Sequence, residues 1–253
     1  MDERTVGRAM WRFWSLGGEV RALAGATAVR NAAAPDHPLG TFLCELRTEE
    51  IAPLLAGPFR RVLVDPDTPP AAEAQLALHD WKLDVQLHLA LPADAAVDPP
   101  ASAARPVVDD AGWAEVRRLF RIDHLEEDAR RGRSARSEAA TTAAVAVRRG
   151  LGPGVTYLLA ERSGEVAGCV ATWPGEDGVG LVEDVFVHPG HRHRGVASEL
   201  LRHAVTHARR RGAPCVAIGA EVGDTPKHLY NRFGFRPVAV ARSYELTTGR
   251  GTA

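Results

Sequence analysis

The stretch from Leu181 to Glu199 reads LVEDVFVHPGHRHRGVASE, and its interpretation decides the fold of the chain. Leu181–Val187 is a strand-like run, Pro189-Gly190 a turn, and Arg192 to Ala197 a basic loop containing Gly195 that feeds an amphipathic helix. The first N–H groups of a helix have no intrahelical acceptor, and the helix dipole adds positive potential at that end. A strand, a small-residue loop and a helix start in this order therefore suit a diphosphate. Gly195 and Ala197 keep side chains out of the way.

The pattern Val187-x-Pro189-x-x-Arg192-x-x-Gly195-x-Ala197 resembles the acyl-CoA signature of the GNAT superfamily of N-acyltransferases. A second segment about forty residues on, His228-Leu-Tyr-Asn-Arg-Phe-Gly-Phe235, resembles that family's Leu-Tyr-x-x-x-Gly-Phe motif, and together they cover the core of residues 105–246. The resemblance implies an α/β fold, a central mixed sheet flanked by helices. It also implies acetyl-CoA as acyl donor, with no metal, and a primary amine of a small molecule as acceptor. Arg192, His193, Arg194, Gly195, Val196, Ala197 and Ser198 would hold the diphosphate. The main chain of Val185, Phe186 and Val187 would pair with the pantetheine arm.

By the same resemblance, Tyr230 is the expected general acid toward the CoA sulfur. A phenol with an ordinary pKa near 10 keeps its proton at neutral pH. Glu183 is the expected base on the amine. Period-two alternation sets Glu183, Val185 and Val187 on one face and Val182, Asp184 and Phe186 on the other, so one carboxylate should face the acyl group. Glu183 is chosen because an acid in an apolar strand is costly unless it is used or paired; Asp184 and His124 are the alternatives. Direct attack in a ternary complex is expected, because no Cys, Ser or Lys matches a nucleophile position with an adjacent base. The competing reading is an acyl-CoA-binding sensor or partner-binding module without turnover.

The 253 residues leave room for one large or two small domains, and 45% apolar with 25% charged residues is ordinary for a globular protein. A net charge of −1 provides no general field for nucleic acid or an anionic membrane. Cys44, Cys169 and Cys215 lack the spacing of a disulfide scaffold or zinc site, and Cys169 and Cys215, inside strand-like runs, read as small core hydrophobes. His188, His191 and His193 fall close together, but no carboxylate or Cys among them completes a ligand set. The N-terminus carries acids and no long apolar run, and a cytoplasmic location is expected.

Residues 61–91 and 215–246 both read strand, Asp-Thr-Pro, helix, aromatic-x-apolar, strand, which suggests a divergent repeat. In that alignment Leu78 stands at the place of Tyr230 and Lys82 at that of Gly234, and nothing upstream resembles the phosphate loop. Residues 1–92 are therefore expected to be a degenerate, partial GNAT-like N-terminal domain, residues 93–104 a Pro- and Ala-rich linker, and residues 105–253 the GNAT domain. Edge strands and the paired halves are compatible with a homodimer. Further expectations are one helix face shared by Trp11 and Trp14, a hairpin of Val155–Glu161 with Val166–Trp173, and a helix ending near Phe120, followed by a charged helical region to Arg149. Residues 249–253 are expected to fray.

Overall fold

A computed structural model of the protein describes residues 1–79 and 81–246; the expectation for residues 249–253 lies outside them. Helix α1 (Glu3–Ser15) is opened by Asp2, whose carboxylate accepts the Thr5 N–H at 2.8 Å, filling one of the orphan donors of the first turn. Val6, Met10 and Phe13 recur at helical spacing and are buried. After it come β1 (Glu19–Leu23), β2 (Ala26–Arg30), β3 (Thr41–Cys44), the one-turn α2 (Ala52–Leu55), β4 (Arg61–Val64), α3 (Pro70–Leu78) and β5 (Trp81–Leu91). The chain continues through β6 (Ala104–Pro106), α4 (Asp110–Arg130), α5 (Glu138–Arg149), β7 (Thr156–Arg162), β8 (Glu165–Glu176) and β9 (Val179–Val187). It ends with α6 (Val196–Arg210), β10 (Cys215–Glu221), α7 (Pro226–Phe233) and β11 (Arg236–Leu246).

The strands form one mixed sheet in the order β1-β2-β3-β4-β11-β5-β10-β9-β8-β7-β6. Two runs of chain make the same pairings. In each, three strands lie antiparallel (β1-β2-β3 and β7-β8-β9) and a fourth joins parallel to the third (β4 on β3, β10 on β9). A helix and a last strand follow, and that last strand crosses to the other run. β11 enters between β4 and β5, while β5 lies between β11 and β10. The two crossed strands pair antiparallel, from Arg236 opposite Ala90 to Leu246 opposite Trp81. The runs differ between their third and fourth strands: four helical residues in α2, fifteen in α6.

The exchange mixes the cores. Leu89 and Leu91 of β5 pack with Leu200, Val216, Ile218 and Phe235 of the second run, while Tyr244 of β11 packs with Leu43, Val62 and Leu76 of the first. Each such side chain contributes about 1.5–3 kcal/mol of burial. Arg61 on β4 ties the junction, bonding Ser243 Oγ on β11 at 3.0 Å and Asp84 on β5 at 2.9 Å. On the opposite face Val6, Phe13, Leu119, Phe120, Tyr157 and Leu181 form a layer under α1 and α4.

Three expectations needed adjustment. β1 alternates as Glu-Val-Arg-Ala but is exposed along most of its length, and it lies where the sequence reading set no strand. α4 continues past Phe120 to Arg130, because no Gly or Pro interrupts it before Gly132, whose φ is +63°. The alternation in β9 is broken: Cys169 faces Phe186 and Ala171 faces Glu183, so Val170 alone opposes Asp184 and Val185. This is a β-bulge, with Asp184 at φ +53°. One extra residue inverts the alternation beyond it, and Glu183, Asp184 and Phe186 all line the same cavity instead of dividing between two faces.

Candidate active site

The bulge is held from the side by α5 and β7. Arg148 donates Nε to Asp184 Oδ2 at 2.8 Å and Nη2 to Asp184 Oδ1 at 2.9 Å, and the Tyr157 hydroxyl donates to Oδ2 at 2.5 Å. The Arg148 guanidinium also lies 4.5 Å from the Phe120 ring centre and 5.3 Å from that of Trp14. Both partners are almost fully buried, their side chains 10% and 8% exposed. Asp184 thus has its oxygens committed.

Glu183 is placed differently. Its carboxyl has no side-chain partner among the described residues and faces the cavity. Burial, reinforced by the charge of Asp184, pushes its pKa up to about 8. Across from it on β10 stands Gly219, where an added methyl would lie 2.9 Å from Met10 Cε, 3.3 Å from Gln86 Oε1 and 3.9 Å from Glu183 Oε1. The parallel ladder between β9 and β10 ends at Val182 opposite Ile218. Beyond that point the strands part, and the β10-facing main chain of residues 183–187 has no strand partner among the described residues.

At the far end of this open edge is the loop. His193 and Gly195 take left-handed conformations, φ +59° and +80°. The N–H groups of His193, Arg194, Gly195, Val196, Ala197 and Ser198 find no acceptor among the described residues. Six unpaired N–H groups at the start of a fifteen-residue helix are chemically suited to an anion. The Arg192 side chain is occupied elsewhere: its Nε donates to the Val187 carbonyl at 3.0 Å, and it pairs with Glu126 on α4 at 3.1 Å. It fixes the loop to β9 and α4. The one acid in the first turn of α6, Glu199, accepts the Ser102 N–H at 2.7 Å and pairs with Arg202 at 3.1 Å.

Tyr230 lies in the apolar layer on the α6 and α7 side, 5% exposed, its ring 6.2 Å from that of Phe235. Its hydroxyl has no partner among the described residues. Burial, then the nearby charge of Glu183, raises its pKa, so it remains a phenol through the neutral range. Tyr230 and Glu183 belong to opposite faces of the sheet, and the gap between β9 and β10 separates them.

On the Glu183 side the cavity measures about 990 Å³. It is floored by a feature that the sequence reading missed. Lys82, Asp84, Gln86 and His88 of β5 face it, as do Ser243 and Glu245 of β11, while Leu87, Leu89 and Leu91 face the other layer. The Lys-Leu-Asp-Val-Gln-Leu-His-Leu alternation from 82 to 89 was the available signal. From above, α1 contributes Trp11 and Trp14, and α4 contributes Phe120, Asp123, His124 and Glu127. His124 Nδ1 bonds Thr141 Oγ1 at 2.9 Å, and burial with Arg136 and Arg148 nearby pushes its pKa down to about 4. Among the described residues no group of three or more His, Cys, Asp or Glu side chains is placed to hold a metal ion. Nor is any of their helices long and apolar enough to cross a membrane.

Residues 113–235, which carry the bulged strand, the loop and Tyr230, match the family model described as the Acetyltransferase (GNAT) family. The chain carries a GNAT-family domain. Over 82 residues it is 34% identical to streptothricin acetyltransferase of Streptomyces lavendulae, a match that covers 32% of the chain and 43% of that relative, less than half its length. Among solved structures, a GCN5-related N-acetyltransferase from Kribbella flavida superimposes with TM-score 0.65 at 16% identity, covering 98% of this chain and 96% of its own. A tandem GNAT protein from the clavulanic acid biosynthesis pathway gives TM-score 0.52 at 15% identity, with 98% and 97% covered. These likenesses establish the mixed α/β GNAT fold around the open edge of β9.

Proposed function

We propose that the protein is an acetyl-CoA-dependent N-acetyltransferase that passes the acetyl group directly to a primary amine of a small molecule. The observation that carries this reading is the continuous open main-chain edge from Glu183 to Val187, which leads from an unoccupied carboxyl to six unpaired N–H donors. The acetyltransferase that matches over 82 residues supports acetyl transfer as the reaction.

The cradle from His193 to Ser198 binds the diphosphate of acetyl-CoA, and Arg192 acts by holding that loop in place. The main chain of Val185, Phe186 and Val187 takes the pantetheine arm in strand fashion, and an N–H of this edge stabilises the oxyanion as the amine adds to the thioester carbonyl. The amine enters through the 990 Å³ cavity and gives its proton to Glu183. Asp184 is unsuited to that step, since Arg148 and Tyr157 occupy its oxygens. Collapse of the tetrahedral adduct breaks the C–S bond, and Tyr230 protonates the departing thiolate.

Residues 1–92 are, in this reading, a degenerate GNAT-like copy that kept its strands and lost its phosphate site, with residues 93–104 as linker. The repeated pairings and the reduction of α6 to the four-residue α2 support it. Its remaining role is to floor the acceptor cavity.

The test is thiol release from acetyl-CoA with a panel of amines, alongside calorimetry of CoA binding. Turnover with at least one amine is expected. Tight binding without turnover on any amine would make the protein a CoA-binding module instead.

A further inference from the structure

The charges of the cavity narrow the acceptor. Most acids that line it have cations of their own: Asp84 and Glu245 pair with Arg61 at 2.9 and 3.4 Å, Asp65 with Arg47 at 2.9 Å, Glu221 with Arg131, and Glu127 with Arg131 and Arg136. Glu45 accepts from Thr27 Oγ1 at 2.9 Å, and Glu3 is exposed. Two acids facing the interior have neither an ion-pair partner nor a side-chain hydrogen bond among the described residues. They are Glu183 on β9 and Asp123 on α4.

Asp123 belongs to the stripe Phe120, Asp123, His124 and Glu127 that α4 turns toward the cavity. Burial, Glu127 and Asp184 push its carboxyl up to about 6. Asp123 and Glu183 line the same cavity as the buried Arg148–Asp184 pair. On the floor His88 is 7% exposed, has no hydrogen-bond partner among the described residues, and is held neutral with its pKa pushed down to about 4 by burial. It offers an imidazole without adding positive charge. The lining cations without a carboxylate partner, Arg8, Lys82 and Arg133, are all exposed. The interior thus holds two acids without a cation paired to them, and an acid left unpaired away from water is costly until a cation reaches it.

We propose that the acceptor is a diamine: one amino group reacts beside Glu183, while a second ammonium, further along the same molecule, is bound by the carboxylate of Asp123. This rests on the transferase reading, and Asp123 is a specificity residue that does not touch the reacting atoms.

The test compares thiol release with 1-aminopentane and with α,ω-diamines of four to eight carbons at pH 8, where both carboxylates can be ionised. The expected result is a diamine preference of tenfold or more in kcat/KM, expressed mainly in KM. Asp123→Asn should reduce that preference at least tenfold, and Asp123→Glu should restore most of it. Equal use of monoamine and diamine by the wild type, or the same preference in Asp123→Asn, overturns the proposal while leaving the transferase reading standing. No thiol release with any amine, and no CoA binding by calorimetry, overturns both.

Discussion

Arg148 grips Asp184 with two guanidinium nitrogens, at 2.8 and 2.9 Å, at the one residue of β9 whose φ is positive. A left-handed L-residue costs roughly 1–2 kcal/mol, and such strain persists where surrounding contacts over-determine it. Here the fork and the Tyr157 hydroxyl do so, and the reward is functional. The bulge turns Asp184 and Phe186 to the side of the sheet that Glu183 already faces, just beyond the point where β9 and β10 cease to pair.

Removing one partner of this buried pair leaves the other uncompensated. Arg148→Ala and Asp184→Ala should each lower stability by about 3–5 kcal/mol, read from urea unfolding. The double variant should lose less than the sum, because the second substitution removes the stranded charge. Additive losses would show that the two side chains do not act as a unit.

Glu183 sets a pH dependence. A base with a pKa near 8 is protonated at pH 6, so kcat/KM should rise with pH and level off above about 8. Glu183→Gln should flatten that limb and lower the rate by roughly 10²–10⁴-fold. Stability moves the opposite way. The folded carboxyl binds its proton more tightly than the unfolded one, so its contribution is present below the unfolded pKa and is lost as pH rises through the folded value. At pH 9 the Gln variant should therefore melt higher than the wild type, and at pH 5 the advantage should largely disappear.

Tyr230→Phe removes a hydroxyl that has no partner among the described residues, so little stability should be lost. In single-turnover experiments the acetyl-transfer step should slow by about 10²-fold, with CoA affinity retained. Full wild-type rate in this variant would remove Tyr230 from the mechanism.

Gly195 holds φ +80°, and no atom lies within 4 Å of where a Cβ would stand. Gly195→Ala therefore introduces backbone strain without a clash, costing about 1–2 kcal/mol. Relaxation of that strain should tilt the N–H cradle and weaken CoA binding by about tenfold in calorimetry. Pantetheine, which lacks the diphosphate, should bind both forms alike.

The crossed strands make the second run dependent on the first. Residues 105–253 expressed alone lack β5, which pairs with β10 on one side and β11 on the other. That fragment should show no cooperative thermal transition by circular dichroism. Adding residues 1–92 as a separate chain should restore one.

Much of the site was legible in the sequence because it is local. The turn after β9, the left-handed Gly195 and the free donors of α6 depend on residues within one or two turns of each other, and chain geometry fixes them. The hairpin around Ser163-Gly164, with φ +54° and +81°, was readable for the same reason. The face assignment of Asp184 failed because a bulge is not a property of the strand that contains it. It arises from the register against β8 and from Arg148, thirty-six residues away in the chain.

By itself, then, the sequence determined the strand, the glycine-containing loop and the helix that follows it, the second motif around Tyr230, and the similarity of two segments. Tertiary structure alone decided that the last strands of the two runs change places, that both carboxylates of β9 turn to one side, and that the polar face of β5 becomes the floor of a cavity. Those outcomes rest on contacts such as Arg61 with Ser243, 182 positions apart. Propensity and periodicity act over a few residues, whereas the partner that satisfies a distant charge or strand edge is chosen only when the chain closes on itself.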